Sequence, residues 1–215
     1  LLRLGMTPTG LPSLCDGCGA PFTVEHAHTC KKGGLVISRH NEIRDTHIHL
    51  NQLAFPASAV LSEPKIFTGR EATFVTGAEE GTVRGLNGKK VKVDWGKKGD
   101  VLVKNFWGPG TECIFDICVT DTDQPSYLLK DPHKVLEAHA TRKKNKYLSA
   151  CLSQRRHFTP LITSVDGLVE KEGVAYCQRL ASKLADKLQK PSSSVMGYVK
   201  ARLSIALVCA VYLTI

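Results

Sequence analysis

Three cysteines and a histidine lie within sixteen residues near the start of the chain, spaced Cys15-x2-Cys18-x7-His26-x3-Cys30, and this spacing constrains local structure more than any other feature of the sequence. A tight turn at Gly17 sets two thiolates side by side, and a short excursion brings an imidazole and a third thiolate back to them. Four soft or borderline ligands that converge in this way suit a closed tetrahedral zinc site, where metal rather than a hydrophobic core supplies order. Residues 1–34, rich in Gly, Pro, Cys and His and without a helical period, are expected to form a small zinc knuckle with Cys15, Cys18, His26 and Cys30 as ligands. His28 competes for the fourth position, and spacing alone does not choose between the two imidazoles. Cys113, Cys118, Cys151, Cys177 and Cys209 are scattered and read as packing residues of a chain from a reducing compartment.

From Leu35 the pattern changes. Leu35-Val36-Ile37 reads as a short strand, and Ile43, Ile48 and Leu50 suit an amphipathic helix over residues 40–53. Pro56 and Pro64 hold an extended connection. Asn87-Gly88 between Thr82-Val83-Arg84 and Val91-Lys92-Val93-Asp94-Trp95 predicts a hairpin. Strands over 100–103 and 113–119 follow, separated by Gly108-Pro109-Gly110. Beyond Pro132 come a strongly basic helix over 134–154, a strand over 158–163 and an amphipathic helix over 168–188. The uncharged run 203–215 is 13 residues long, short of the roughly 20 needed to span a bilayer. It is expected to be a buried helix or strand, with no membrane partner. The order implies an α/β domain over 35–190 behind the knuckle, closed by a C-terminal segment at 191–215.

Charge points to the class of partner. Twenty-nine Lys and Arg against 20 Asp and Glu give a formal charge of +9, which favours a polyanion such as DNA or RNA. Candidate nucleic-acid contacts are Arg39 and His40 beside the first helix and Arg142, Lys143, Lys144 and Lys146 on the basic one. Asp100 opens one expected strand, and Asp116 interrupts the apolar run Ile114-Phe115-x-Ile117, where an unpaired carboxylate is costly to bury. A two-stranded ladder could bring both acids to one end of the sheet, where two carboxylates can hold Mg²⁺ with several waters for phosphate chemistry. Lys143 and Lys146 share a helix face at i,i+3, so one of them could point toward the acids and stabilise developing phosphorane charge.

Several blocks of the chain resemble, in order, the C-terminal region of non-LTR retrotransposon polyproteins that carry a restriction-enzyme-like endonuclease. They are Cys-Asp-Gly-Cys-Gly-Ala at 15–20, Glu-His-Ala-His-Thr-Cys-Lys-Lys-Gly-Gly at 25–34, Arg-His-Asn-Glu-Ile-Arg-Asp at 39–45, Gly-Asp-Val-Leu-Val at 99–103, Phe-Asp-Ile-Cys-Val-Thr-Asp at 115–121, Lys-x2-Lys-Tyr at 143–147 and Phe-Thr-Pro-Leu at 158–161. The resemblance implies a CCHC knuckle ahead of a restriction-endonuclease-like mixed sheet flanked by helices. It also implies a reverse transcriptase domain upstream, nicking of target DNA for primed reverse transcription, contact with element RNA and a nuclear location. On it, Asp100 and Asp116 match the two motif acids, Lys143 or Lys146 a lysine that has migrated to the next helix, and Glu42 an accessory acid. Two positions depart from the family pattern: Gly99 stands in place of the motif proline, and Cys118 where an Asp-x-Lys motif carries its lysine. The alternative expectation is a catalytically inactive zinc-containing module that binds nucleic acid.

Overall fold

Two largely apolar segments, 101–104 and 112–120, most of whose residues are buried, set the centre of the structure, a computed structural model that describes residues 9–32, 35–66, 83–84, 90–91 and 98–214. They form β4 (Val101–Lys104) and β5 (Glu112–Thr120), an antiparallel pair with Val101 opposite Phe115 and Val103 opposite Cys113. The hairpin between them turns at Asn105, whose φ of 62° is stabilised by its own side chain, since Asn105 Oδ1 accepts from Gly110 N at 2.7 Å. β1 (Val60–Ser62) adds to β4 antiparallel, and β6 (Arg156–Ser164) adds to β5 parallel, giving the order β1-β4-β5-β6. The parallel step needs a crossover, and α3 (Pro132–Ser153) supplies it, started by Asp131, whose carboxylate accepts from His133 N.

Helices cover both faces of this four-stranded mixed sheet. On one face α3 packs Tyr147 and Cys151 against Leu102, Ile114 and Phe158, and packs Leu136 and Ala140 against Ile162. On the other lie α2 (Leu35–Ala54), α4 (Lys171–Leu188) and α5 (Ser192–Tyr212), which enclose Val101, Val103, Phe115, Ile117 and Leu161. Fully buried Phe106 stacks on Tyr176 at 5.1 Å between ring centroids and meets Phe115 edge-on at 4.8 Å. The chain is thus mixed α/β, with side chains of one strand parity facing α3 and those of the other facing α2, α4 and α5.

Several expected elements differ from the observed ones. Leu35-Val36-Ile37 is not a strand but the first turn of α2, with Leu35 and Ile37 exposed. The first segment is not free of helix: α1 (Val24–Thr29) starts at Thr23, whose hydroxyl accepts from His26 N at 3.1 Å. The connection after Pro56 contains β1. α4 begins at Lys171 rather than at residue 168, because Glu170 caps it by accepting from Glu172 N. β2 (Val83–Arg84) and β3 (Lys90–Val91) pair antiparallel as a separate ribbon, as the hairpin signal predicts. The Asn87-Gly88 turn and residues 92–95 of that reading lie outside the described residues. The C-terminal segment is a helix, and counted from Ser192 it has 21 residues, with a mean hydropathy of 1.5 over its most apolar 18, long and apolar enough by length and composition to cross a membrane. One side of it, through Val195, Val199, Leu207 and Ala210, is buried in the core.

Candidate functional site

The cysteine–histidine cluster assembles first from local turns. Gly19, at φ 73°, lets the chain reverse so that Gly19 N donates to Cys15 O and Cys15 N to Ala20 O. α1 then carries His26 back, and Cys30 caps its C-terminus. The ligand atoms of Cys15, Cys18, His26 and Cys30 all lie within 4.8 Å of one another, with Cys15 Sγ 3.8 Å from Cys30 Sγ and Cys18 Sγ 3.2 Å from His26 Nε2. The sulfur separation matches the edge of a tetrahedron built on Zn–S bonds of about 2.3 Å. Cys15 is lowered to about 6, chiefly by its contact with His26 and then by backbone amides, so a thiolate is accessible near neutrality. Cys30 is raised: a backbone contact with Lys32 pulls it down, but burial and the neighbouring Cys15 and Cys18 outweigh that. A divalent cation relieves this crowding of thiols, and the donor set fits a metal such as zinc.

The choice between the two imidazoles is resolved by the structure. His28 is buried on the opposite side of α1, where its Nδ1 meets Asp121 Oδ2 at 3.3 Å and its backbone carbonyl accepts from Arg39 Nη2 at 3.1 Å. It therefore docks the metal-binding segment on the core. Burial pushes Asp121 up, but His28, the Asp123 amide and Arg39 together hold its carboxyl below the ordinary value. Arg39, read from sequence as a nucleic-acid contact, is 5% exposed and serves this internal clamp. That placement was not legible in the sequence, where an arginine beside a histidine reads as surface.

The acidic pair forms where β4 begins. Asp100, in the bend that leads into β4, donates its backbone N–H to Phe115 O at 3.0 Å, which brings it to the stretch of β5 that carries Asp116. Asp100 Oδ2 accepts from Ile117 N at 2.5 Å and Asp100 Oδ1 meets His40 Nε2 at 2.9 Å. Asp116 is 5% exposed, and Lys143 Nζ reaches across from α3 to 2.6 Å from its Oδ2. The two form a close ion pair. Burial raises the Asp116 carboxyl; Lys143 works against this and Asp100 adds to it. For Lys143, burial works against the ammonium, but Asp116 more than offsets it and the group is raised.

The backbone also accounts for the residue before Asp100. Gly99 N donates to Pro64 O at 2.9 Å, a bond no proline can make, and a Cβ built on Gly99 would stand 2.3 Å from Ile114 Cγ2. Cys118, two residues after Asp116 on the same strand parity, is half-buried with its Sγ 3.7 Å from Thr120 Oγ1, so the cation at this site comes from α3 instead.

Of the remaining sequence candidates, His40 sits in the acid pair rather than on an outer surface. Lys146 is exposed, its ammonium 4.7 Å from the Tyr147 ring centroid, and Lys144 is ion-paired to Glu172, so neither is brought to Asp116. Glu42 is exposed on α2, with no contact to either acid among the described residues. Arg142 is exposed, and its Nη2 lies 3.0 Å from His139 Nδ1. A second polar group, absent from the sequence reading, lies behind the sheet. Buried His47 Nδ1 meets Tyr176 OH at 3.1 Å, Asn51 Nδ2 donates to the same hydroxyl at 2.7 Å, and burial lowers His47 to about 4. His47 also lines an apolar cavity of about 590 Å³ between α2, β6, α4 and α5. No protein-family model matches the chain, and no curated protein matches it in sequence.

Proposed function

We propose that this chain is a Mg²⁺-dependent DNA endonuclease segment of a non-LTR retrotransposon polyprotein, with a restriction-endonuclease-like sheet behind a structural zinc knuckle. The observation that carries the reading is the placement of Asp100, Asp116 and Lys143: two acids brought together where β4 begins beside β5 and a lysine delivered from the next helix, where the motif lysine position holds Cys118. The acids would suit a hard cation, because Asp116 is buried, its carboxyl is raised chiefly by that burial, and Asp100 beside it adds to the rise. Mg²⁺ bound there would neutralise the scissile phosphate and acidify a water. Asp100 is aimed by the Ile117 amide and braced by His40, and Lys143 stands ready to stabilise charge on the phosphoryl oxygens. The knuckle and the basic face of α3 hold the strand, and element RNA and the upstream reverse transcriptase are the other partners the resemblance implies.

Nicking of supercoiled DNA with Mg²⁺ tests this. The parent protein should nick, and Asp116→Asn and Lys143→Met should lose activity by about two orders of magnitude or more. Equal nicking in parent and Asp116→Asn rejects the assignment. One observation favours a second reading, an inactive nucleic-acid-binding module: each acid already has a basic side-chain partner, His40 for Asp100 and Lys143 for Asp116. On that reading the parent binds DNA with a steep salt dependence and does not nick.

A further inference from the structure

The segment joining β5 to α3 exposes large apolar side chains at its tip. Leu129 is 102% exposed, the highest value among the described large hydrophobic residues, and its neighbour Leu128 is 68% exposed. An exposed leucine pair on a slack loop would mean little, but this one is mounted rigidly. Tyr127 N donates to Gln124 O at 2.7 Å and Lys130 N to Tyr127 O at 2.8 Å, while Asp131 caps α3 immediately afterwards. The Tyr127 hydroxyl lies 3.1 Å from His139 Nε2, and on the far side of that ring Nδ1 lies 3.0 Å from Arg142 Nη2 and 3.3 Å from Thr120 Oγ1. A guanidinium can only donate, so His139 Nδ1 accepts and Nε2–H donates to Tyr127. His139 is held neutral, its pKa lowered by burial and then by Arg142 and Lys143.

Cations flank this tip. Lys130 Nζ lies 5.3 Å from the Tyr127 ring centroid, and exposed Arg142 continues the brace on α3. Lys143, the next residue, is the partner of Asp116, so the leucine tip is tied to the proposed cutting site through one turn of helix. Apolar side chains on a rigid mount between phosphate-binding cations are the apparatus with which proteins pry apart base steps and bend a duplex. We infer that residues 124–130 form a DNA wedge: Leu128 and Leu129 enter a base step of duplex DNA beside the scissile phosphate while Lys130 and Arg142 grip the flanking phosphates. The inference rests on the proposed nucleic-acid reading and extends it to how the target is deformed. A membrane is the less suitable partner, since only two large apolar side chains project here.

The test uses the whole chain and a short duplex carrying 2-aminopurine, without divalent metal so that cleavage plays no part. Anisotropy follows binding, and 2-aminopurine emission reports unstacking. The parent should bind and raise the emission several-fold. The Leu128→Ser/Leu129→Ser double variant, altered only at exposed positions, should still bind and leave the emission at the level of free duplex. Arg142→Gln should reduce the log–log salt slope of binding by about one. Binding by the parent without a rise in emission overturns the wedge alone and leaves the nuclease reading standing. An undiminished rise in the double variant does the same. Absence of duplex binding, with or without partition onto phosphatidylserine vesicles, overturns the wedge together with the DNA reading.

Discussion

Replacing Gly99 isolates the packing that fixes the acid pair. An alanine there places its Cβ 2.3 Å from Ile114 Cγ2, with Pro64 Cγ at 3.5 Å and Ile66 Cδ1 at 3.6 Å. Ordinary carbon–carbon contacts are about 3.5–4.0 Å, so more than an ångström of overlap must be absorbed. Ile114 cannot swing away, because it is fully buried on β5, between β4 and β6. Overpacking of this kind costs about 1–3 kcal/mol. Proline at 99 also deletes the Gly99 N–Pro64 O bond and strands a carbonyl, adding about 1 kcal/mol or more. Urea denaturation should show Gly99→Ala lowering the midpoint at unchanged m, and Gly99→Pro lowering it further. Ile114→Ala removes the clashing methyl at a cost of its own, about 2–5 kcal/mol, but combined with Gly99→Ala it should destabilise by less than the sum, with a coupling of about 1 kcal/mol or more. A Gly99→Ala protein within about 0.5 kcal/mol of the parent, or strictly additive effects in the double variant, would show that the close approach does not govern this position.

Three further outcomes are expected. Protein purified without added metal should carry about one zinc per chain, and Cys18→Ser should lose it along with thermal stability; full zinc retention in the variant would remove Cys18 from the ligand set. His47 binds a proton in the unfolded chain near its ordinary value but in the folded protein only at about 4, so its contribution to stability is complete above the unfolded pKa and is lost as pH falls through this window, by up to about 3 kcal/mol. His47→Gln should flatten the stability profile between pH 6.5 and 4, and a profile parallel to the parent's would place the acid sensitivity elsewhere. Arg39→Met should free the metal-binding segment from the core, read as faster limited proteolysis around residues 31–35 with zinc content unchanged; protection equal to the parent's would show that the Arg39–His28 contact does not hold the segment.

What the sequence disclosed and what it hid follow from physical causes. Knuckle spacing, the strands around Asp100 and Asp116 and the basic crossover helix were legible because ligand spacing, short apolar runs rich in Val and Ile, and a proline-started helix are local signals. The start of α2 was not, because Leu35-Val36-Ile37 has the composition of a strand while the helix buries Arg39, His47 and Asn51 on the side that a reader expects to be apolar. Partners distant in sequence hold them there: the His28 carbonyl accepts from Arg39, and the Tyr176 hydroxyl accepts from Asn51 and meets His47. The choice of Lys143 over Lys146 likewise depended on the rotation of α3 against β5, which i,i+3 spacing leaves open. β1 was missed because its three residues are held by pairing with β4, not by a pattern of their own.

Arg39 and His40 are consecutive on α2, yet one grips the metal-binding loop and the other the first acid of the pair. Neighbouring residues on a helix diverge by about 100°, so these two contacts together fix both the depth and the rotation of α2, as a key is fixed by two wards. A slip of one residue in the helix would release both grips at once. The loop that gathers four metal ligands and the strand end that presents Asp100 are therefore indexed to the same rigid rod, and the distance between them is set by helix geometry rather than by the length or composition of the chain that joins them.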